Sequence, residues 1–112
     1  MLKKIQRLTK DKEFDQIFKD GASSYNKLMG IKVLENELEY SRLGIIISNK
    51  VSKSAVKRNK LKRQLREIFK PRMEQLKKKY DIVVIVLPPA IDKIYQELEK
   101  ATEQAFKKLK LC

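Results

Sequence analysis

The segment that most constrains this chain is Tyr80-Asp81-Ile82-Val83-Val84-Ile85-Val86-Leu87. From Ile82 to Leu87 no polar residue alternates with the apolar ones, so a strand built from them is apolar on both faces and needs cover on both. Pro88-Pro89 then stops it. Helices can supply that cover, and three segments read as helical. Thr9 and Asp11 can cap the first, whose Phe14, Ile17 and Phe18 fall at i, i+3, i+4 before Gly21 supplies a stop. Ser52 or Ser54 can cap the second, which meets no Gly or Pro until Pro71, where it is expected to end or kink. The third lies between Asp92 and Leu111, with Ile94, Leu98, Ala101, Ala105 and Leu109 at helical spacing and lysines at its end, where the dipole favours them.

Two further strand-like runs, Leu28–Leu34 and Leu43–Ile47, flank a turn at Glu35-Asn36-Glu37. Leu38 and Tyr40 either extend the later strand backward or form a separate one. Closeness in sequence predicts that these strands pair as an antiparallel hairpin. The order is therefore helix, two or three strands, helix, strand, helix, an α+β fold with a small sheet. At 112 residues the chain is one ordinary domain's length, so residues 1–112 are expected to form a single domain.

Lys and Arg number 27 against 14 Asp and Glu, a formal charge of +13, which points to a polyanionic partner. Nucleic acid comes first and an anionic membrane surface second. The apolar run Ile82–Leu87 is far shorter than the roughly 20 residues of a membrane span, and no apolar block follows the N-terminal lysines. The single cysteine, Cys112, can form no intrachain disulfide and reads as incidental, which suits a reducing cytoplasm. With no histidine, a Ser-His-Asp triad or a histidine-ligated metal cannot be built, and one cysteine cannot make a zinc finger. The acids are scattered among lysines, as in Glu35, Glu37, Glu39 and Asp92, Glu97, Glu99, so they read as solvated surface and not as a magnesium site. Any catalysis is expected from a partner.

The charge is concentrated. Lys50 to Lys79 holds 13 basic residues against Glu67 and Glu74. At 100° per residue, Leu61, Leu65 and Ile68 form one stripe of this helix, while Asn59, Lys62, Arg63, Arg66 and Lys70 lie on the far side. A merely solubilising helix interleaves signs at i, i+4; this one places like charges together, a repulsion that an anion relieves. Arginine holds phosphate oxygens bidentately, and Asn59 among them can read a base edge or a sugar hydroxyl. Strands, not a short helix, precede the basic helix, which disfavours a DNA-binding helix-turn-helix and favours RNA.

These residues resemble a known family. Ser54-Ala55-Val56-Lys57-Arg58-Asn59-Lys60-Leu61-Lys62-Arg63-Gln64-Leu65-Arg66-Glu67-Ile68-Phe69 is similar to the signature helix of the bacterial ribonuclease P protein subunit, A-V-x-R-N-R-x-K-R-x-x-R-E-x-F. Phe14-Asp15-Gln16-Ile17-Phe18-Lys19-Asp20-Gly21 resembles that family's F-x-x-V-F-x-x-G, and Arg42-Leu43-Gly44-Ile45-Ile46-Ile47-Ser48 its R-x-G-x-x-V-S. The third member of the Arg-Asn-Arg trio is Lys60, which keeps the charge and loses the fork. The stretch after the second motif reads Ser48-Asn49-Lys50 where the family has Ser-Lys-Lys.

The resemblance implies a small mixed sheet packed with helices in the order α-β-β-β-α-β-α, with a left-handed βαβ crossover through the basic helix. It implies a protein subunit that joins a large catalytic RNA and promotes endonucleolytic removal of the 5′ leader of precursor tRNA. Cleavage leaves a mature 5′ phosphate, and both the chemistry and the Mg2+ belong mainly to the RNA. Cytoplasmic residence and one copy per ribonucleoprotein go with it. The RNA-binding set is Lys50, Lys53, Lys57, Arg58, Asn59, Lys60, Lys62, Arg63 and Arg66. The leader is expected in a cleft between the first helix and the sheet, at Phe14, Phe18, Met29 and Lys32, although Phe14 and Phe18 read equally as core. The alternative is a structural RNA-binding protein such as a ribosomal component.

Overall fold

The computed structural model of the protein describes residues 6–111, which leaves Cys112 outside the described residues. Seven α-helices and β-strands follow in the expected order: α1 (Asp11–Asp20), β1 (Ala22–Tyr25), β2 (Met29–Glu35), β3 (Arg42–Ile46), α2 (Ala55–Glu74), β4 (Tyr80–Val86) and α3 (Tyr95–Lys108), with a 3-10 turn at Pro88–Ala90 before α3. This is a mixed α+β fold. The sheet order is β1-β2-β4-β3, with β3 and β4 parallel and the other pairs antiparallel.

β4 is central, as its unalternating apolar run requires. Ile82, Val84 and Val86 join Met29, Ile31 and Val33 on the face that packs against α2 and α3. Leu61, Leu65, Ile68, Phe69 and Met73 of α2 meet them there with Leu98, Ala101, Ala105 and Phe106 of α3. The rings of Phe69 and Phe106 meet edge to face, with centroids 5.7 Å apart. On the opposite face Val83 packs with Ile17 of α1 and Leu8, rimmed by the half-buried Phe14, Leu34, Ile46 and Ile85.

Four expectations are corrected. β2 and β3 are not a hairpin, because β4 inserts between them. The polar locks explain the arrangement: the Arg42 guanidinium donates to both carboxylate oxygens of Asp81, at 2.8 and 2.6 Å, and also reaches Glu13 of α1. Asn36 Nδ2 donates to Asp81 at 2.8 Å, so the 36–41 loop is tied to β4, and Leu38 and Tyr40 lie in that loop instead of in a strand. Hydrogen bonds to Asp81 outweigh burial and raise the pKa of Arg42 above its ordinary value. The 20-residue α2 then makes the long crossover that a parallel β3–β4 pair needs.

The second correction concerns caps. Lys10 occupies the N-cap of α1 and its N–H donates to Glu13 at 3.2 Å, while Asp11 falls in the first turn and Thr9 before the cap. For α2, Ser54 is the cap, its Oγ accepting from Lys57 N at 3.2 Å. Third, of the two outcomes open at Pro71 the helix does not end there: α2 runs on to Glu74, the proline removing one donor close to the helix end. Fourth, Ile94 is not on the buried stripe of α3. It is the N-cap residue and is 61% exposed, because the helix starts three residues later than the periodicity suggests.

Candidate nucleic-acid interface

α2 presents its charge on two flanks. Val56, Asn59, Lys62, Arg63 and Arg66 line one groove along the helix. Burial, and then the charge of Arg7, lowers the pKa of Arg66 from its ordinary value. Arg7 itself is held beside β3, where it bridges Leu43. Lys57 and Lys60 face the other way, into a second groove against residues 91–95. Arg58 differs from both sets. It is half-buried at the start of the helix, and its Nη1 donates to the Ser52 carbonyl at 2.8 Å, so it holds the preceding loop in place. That loop is also pinned by Val51, which is buried and whose N–H donates to the Ser48 carbonyl at 3.0 Å. Lys50 and Lys53 stand exposed on it. The nine candidates thus occupy one contiguous stretch of chain but four different environments.

The other face of the sheet carries the aromatic candidates, and the structure separates them. Phe14 is half-buried: its ring packs over Gly44, where an added Cβ would fall 2.7 Å from it, and contributes to the Leu8, Ile17, Val83 cluster. Phe18 is 40% exposed, with Lys32 Nζ 5.9 Å from its ring centroid. Met29 does not belong here. It is 1% exposed on the opposite face of the sheet, where its sulfur accepts from Thr102 Oγ1 at 3.8 Å.

Tyr25 of β1 takes the place that Met29 was expected to fill. It pairs in register with Gly30, is 51% exposed, and lays its ring so closely over Gly30 that any Cβ there would collide with it. Tyr25 over Gly30, and Lys32 beside Phe18, therefore lie on the same face of the sheet, the one that α1 covers, with both rings open to solvent.

The sequence matches the Ribonuclease P family model over residues 2–110. The chain belongs to the ribonuclease P protein family. The ribonuclease P protein component of Alkaliphilus oremlandii is 36% identical over 110 residues, covering 98% of this chain and 96% of that one. The ribonuclease P protein of Staphylococcus aureus superposes with a TM-score of 0.86 at 34% identity, covering 95% of this chain and 96% of the other. That of Thermotoga maritima gives 0.77 at 33% identity over 88% and 92%. Membership places the chain in tRNA 5′ maturation within a ribonucleoprotein and disfavours the ribosomal alternative. Among the described residues no helix is long and apolar enough to cross a membrane.

The exposed aromatic on this face that sequence reasoning passed over is Tyr25. Its strand, Ala-Ser-Ser-Tyr, has no apolar alternation, but a signal was present: a glycine inside a strand marks a place where something crosses closely. Met29 had a signal too. Positions 29 and 32 differ by an odd number, so a regular strand turns them to opposite faces.

Proposed function

We propose that this chain is the protein subunit of a ribonuclease P ribonucleoprotein that uses two surfaces on opposite sides of one sheet. The basic flanks of α2, with Lys50 and Lys53 on the loop before it, bind the catalytic RNA. The cleft of Phe18, Lys32 and Tyr25 receives the single-stranded 5′ leader of precursor tRNA. The observation that carries this reading is the pairing of exposed rings with a cation across from a helix dense in arginine and lysine. Unpaired bases stack on aromatic faces, and phosphates seek guanidinium and ammonium groups.

Endonucleolytic cleavage is assigned to the RNA. Among the described residues no three His, Cys, Asp or Glu side chains gather to hold a metal ion. Mg2+ in this reading is held mainly by the partner RNA, and the protein acts by positioning substrate and neutralising phosphate charge. One copy serves each ribonucleoprotein, in the cytoplasm. The test is reconstitution with a bacterial ribonuclease P RNA and a leader-bearing precursor at limiting magnesium. The chain should lower the magnesium needed for cleavage; an unchanged requirement would overturn the proposal.

A further inference from the structure

The second groove of α2 has a composition that packing does not explain. Lys57 and Lys60 line it from the helix, and Asp92, Lys93, Ile94 and Tyr95 from the turn that leads into α3, enclosing about 450 Å³. Three ammonium groups face one carboxylate. The link between that carboxylate and Lys57 Nζ is 3.8 Å long with both partners exposed, a contact that an incoming phosphate can displace.

Ile94 is the odd member. It holds the N-cap of α3, makes no side-chain cap hydrogen bond and is 61% exposed. Ser, Thr, Asp or Asn at that position would satisfy a free N–H of the first turn; isoleucine cannot. Ile94 thus serves neither the helix nor the core. It does extend an apolar floor beside Tyr95, which is half-buried against the core.

An apolar floor edged by lysines is the arrangement that holds an unstacked nucleotide, with base and sugar on the floor and phosphates on the rim. We propose that this groove takes an unpaired segment of the partner RNA, its base and sugar lying on Ile94 and Tyr95 and its phosphates on Lys57, Lys60 and Lys93. The inference rests on the function proposed above. RNA is preferred to an acidic protein segment because Lys57 and Lys60 belong to the same helix as the Asn59–Arg66 groove, so one polyanion can occupy both flanks. A duplex is too wide for a groove of this size and hides its base faces.

Ile94→Ser in the full chain separates the roles, because it supplies the missing cap while removing the floor. Affinity for ribonuclease P RNA at fixed salt should fall about three- to tenfold, with a melting temperature unchanged or raised. Lys93→Gln, at an exposed position, should flatten the log-log salt dependence by about 0.7, the value for one single-strand phosphate. Arg63→Ala in the other groove is the control. If Ile94→Ser and Lys93→Gln bind RNA as the parent does while Arg63→Ala weakens binding, the groove assignment is overturned and the function proposed above stands. If Arg63→Ala also leaves affinity unchanged, both fail. A lowered melting temperature for Ile94→Ser would show that Ile94 is structural and overturn the groove assignment too.

Discussion

The two faces of the sheet are built to different ends. Toward α2 and α3 lies a continuous apolar core in which Ile31, Leu65, Ile68, Phe69, Ile82, Val84 and Leu98 are fully buried. Toward α1 the buried apolar cluster among the described residues is only Leu8, Ile17 and Val83, rimmed by half-buried Phe14, Leu34, Ile46 and Ile85. The thick side holds the fold, so the helix it carries can crowd like charges on its outer surface. The thin side gives up burial and keeps Tyr25 and Phe18 exposed. Stability and recognition are therefore separable in this molecule, and substitutions on the two sides should fail in different ways.

The largest effect should come from the thick side. Phe69→Ala removes a fully buried ring that meets Phe106 edge to face, and truncations of this kind cost about 3 to 5 kcal/mol. Chemical denaturation should show that loss, and affinity for every RNA should fall together as the unfolded fraction grows. A variant that kept its stability would mean that the core is not concentrated where the burial places it.

Next is the polar lock that joins the faces. Asp81→Ala leaves the Arg42 guanidinium with Glu13 alone and takes from Asn36 Nδ2 one of its two acceptors. Removing one partner of a fully buried pair costs about 3 to 5 kcal/mol; with Arg42 partly solvated, about 2 to 3 is expected. The comparison sharpens if Asp81→Asn, which keeps a hydrogen-bond acceptor, recovers part of the melting temperature. Full recovery by asparagine would show that the charge on Asp81 contributes nothing.

Which parts of this were readable beforehand follows from where the signal resides. Ile82–Leu87 and the stripe of Leu61, Leu65 and Ile68 announce themselves, because a residue buried by a regular element must repeat with that element's period. The basic flank of α2 was readable for the same reason. β1 was not, since an exposed edge strand of Ala-Ser-Ser-Tyr owes its form to pairing with β2 and carries no period of its own. The separation of β2 from β3 was hidden because it depends on Arg42 meeting Asp81, 39 residues away. The structural tie of Arg58 was not readable: its type and spacing suit phosphate, and only the fold shows that its Nη1 also donates to the Ser52 carbonyl.

On the thin side, Phe14 and Phe18 share a helix face yet should now part. Phe18→Ala should weaken binding of a leader-bearing precursor by about 1 to 3 kcal/mol, with mature tRNA barely affected and the melt almost unchanged. Phe14→Ala should do the reverse, costing about 2 kcal/mol of stability for a half-buried ring and lowering both affinities together. Tyr25→Ala should follow Phe18. Affinity ratios and melts that reverse this assignment would place the leader deeper, against Gly44.

The smallest effect is expected from a single cation on the basic helix, and it is best read as a slope. Arg63 is exposed, lines the groove with Asn59 and Arg66, and touches neither core. Arg63→Ala should leave the circular dichroism spectrum and melting temperature unchanged. It should weaken the complex with catalytic RNA by about 1 kcal/mol and flatten the log-log salt dependence by about one unit, the share of one phosphate. Arg58→Ala should differ, because losing the bond to Ser52 frees the loop that carries Lys50 and Lys53; a stability loss of about 1 kcal/mol should accompany the weaker binding. For the parent chain the slope should be steeper than about −2, since several cations on α2 can reach phosphates together. A shallower slope, with Arg63→Ala indistinguishable from the parent, would reduce the charge on α2 to solvated surface and leave the aromatic cleft as the only RNA-binding surface supported by experiment.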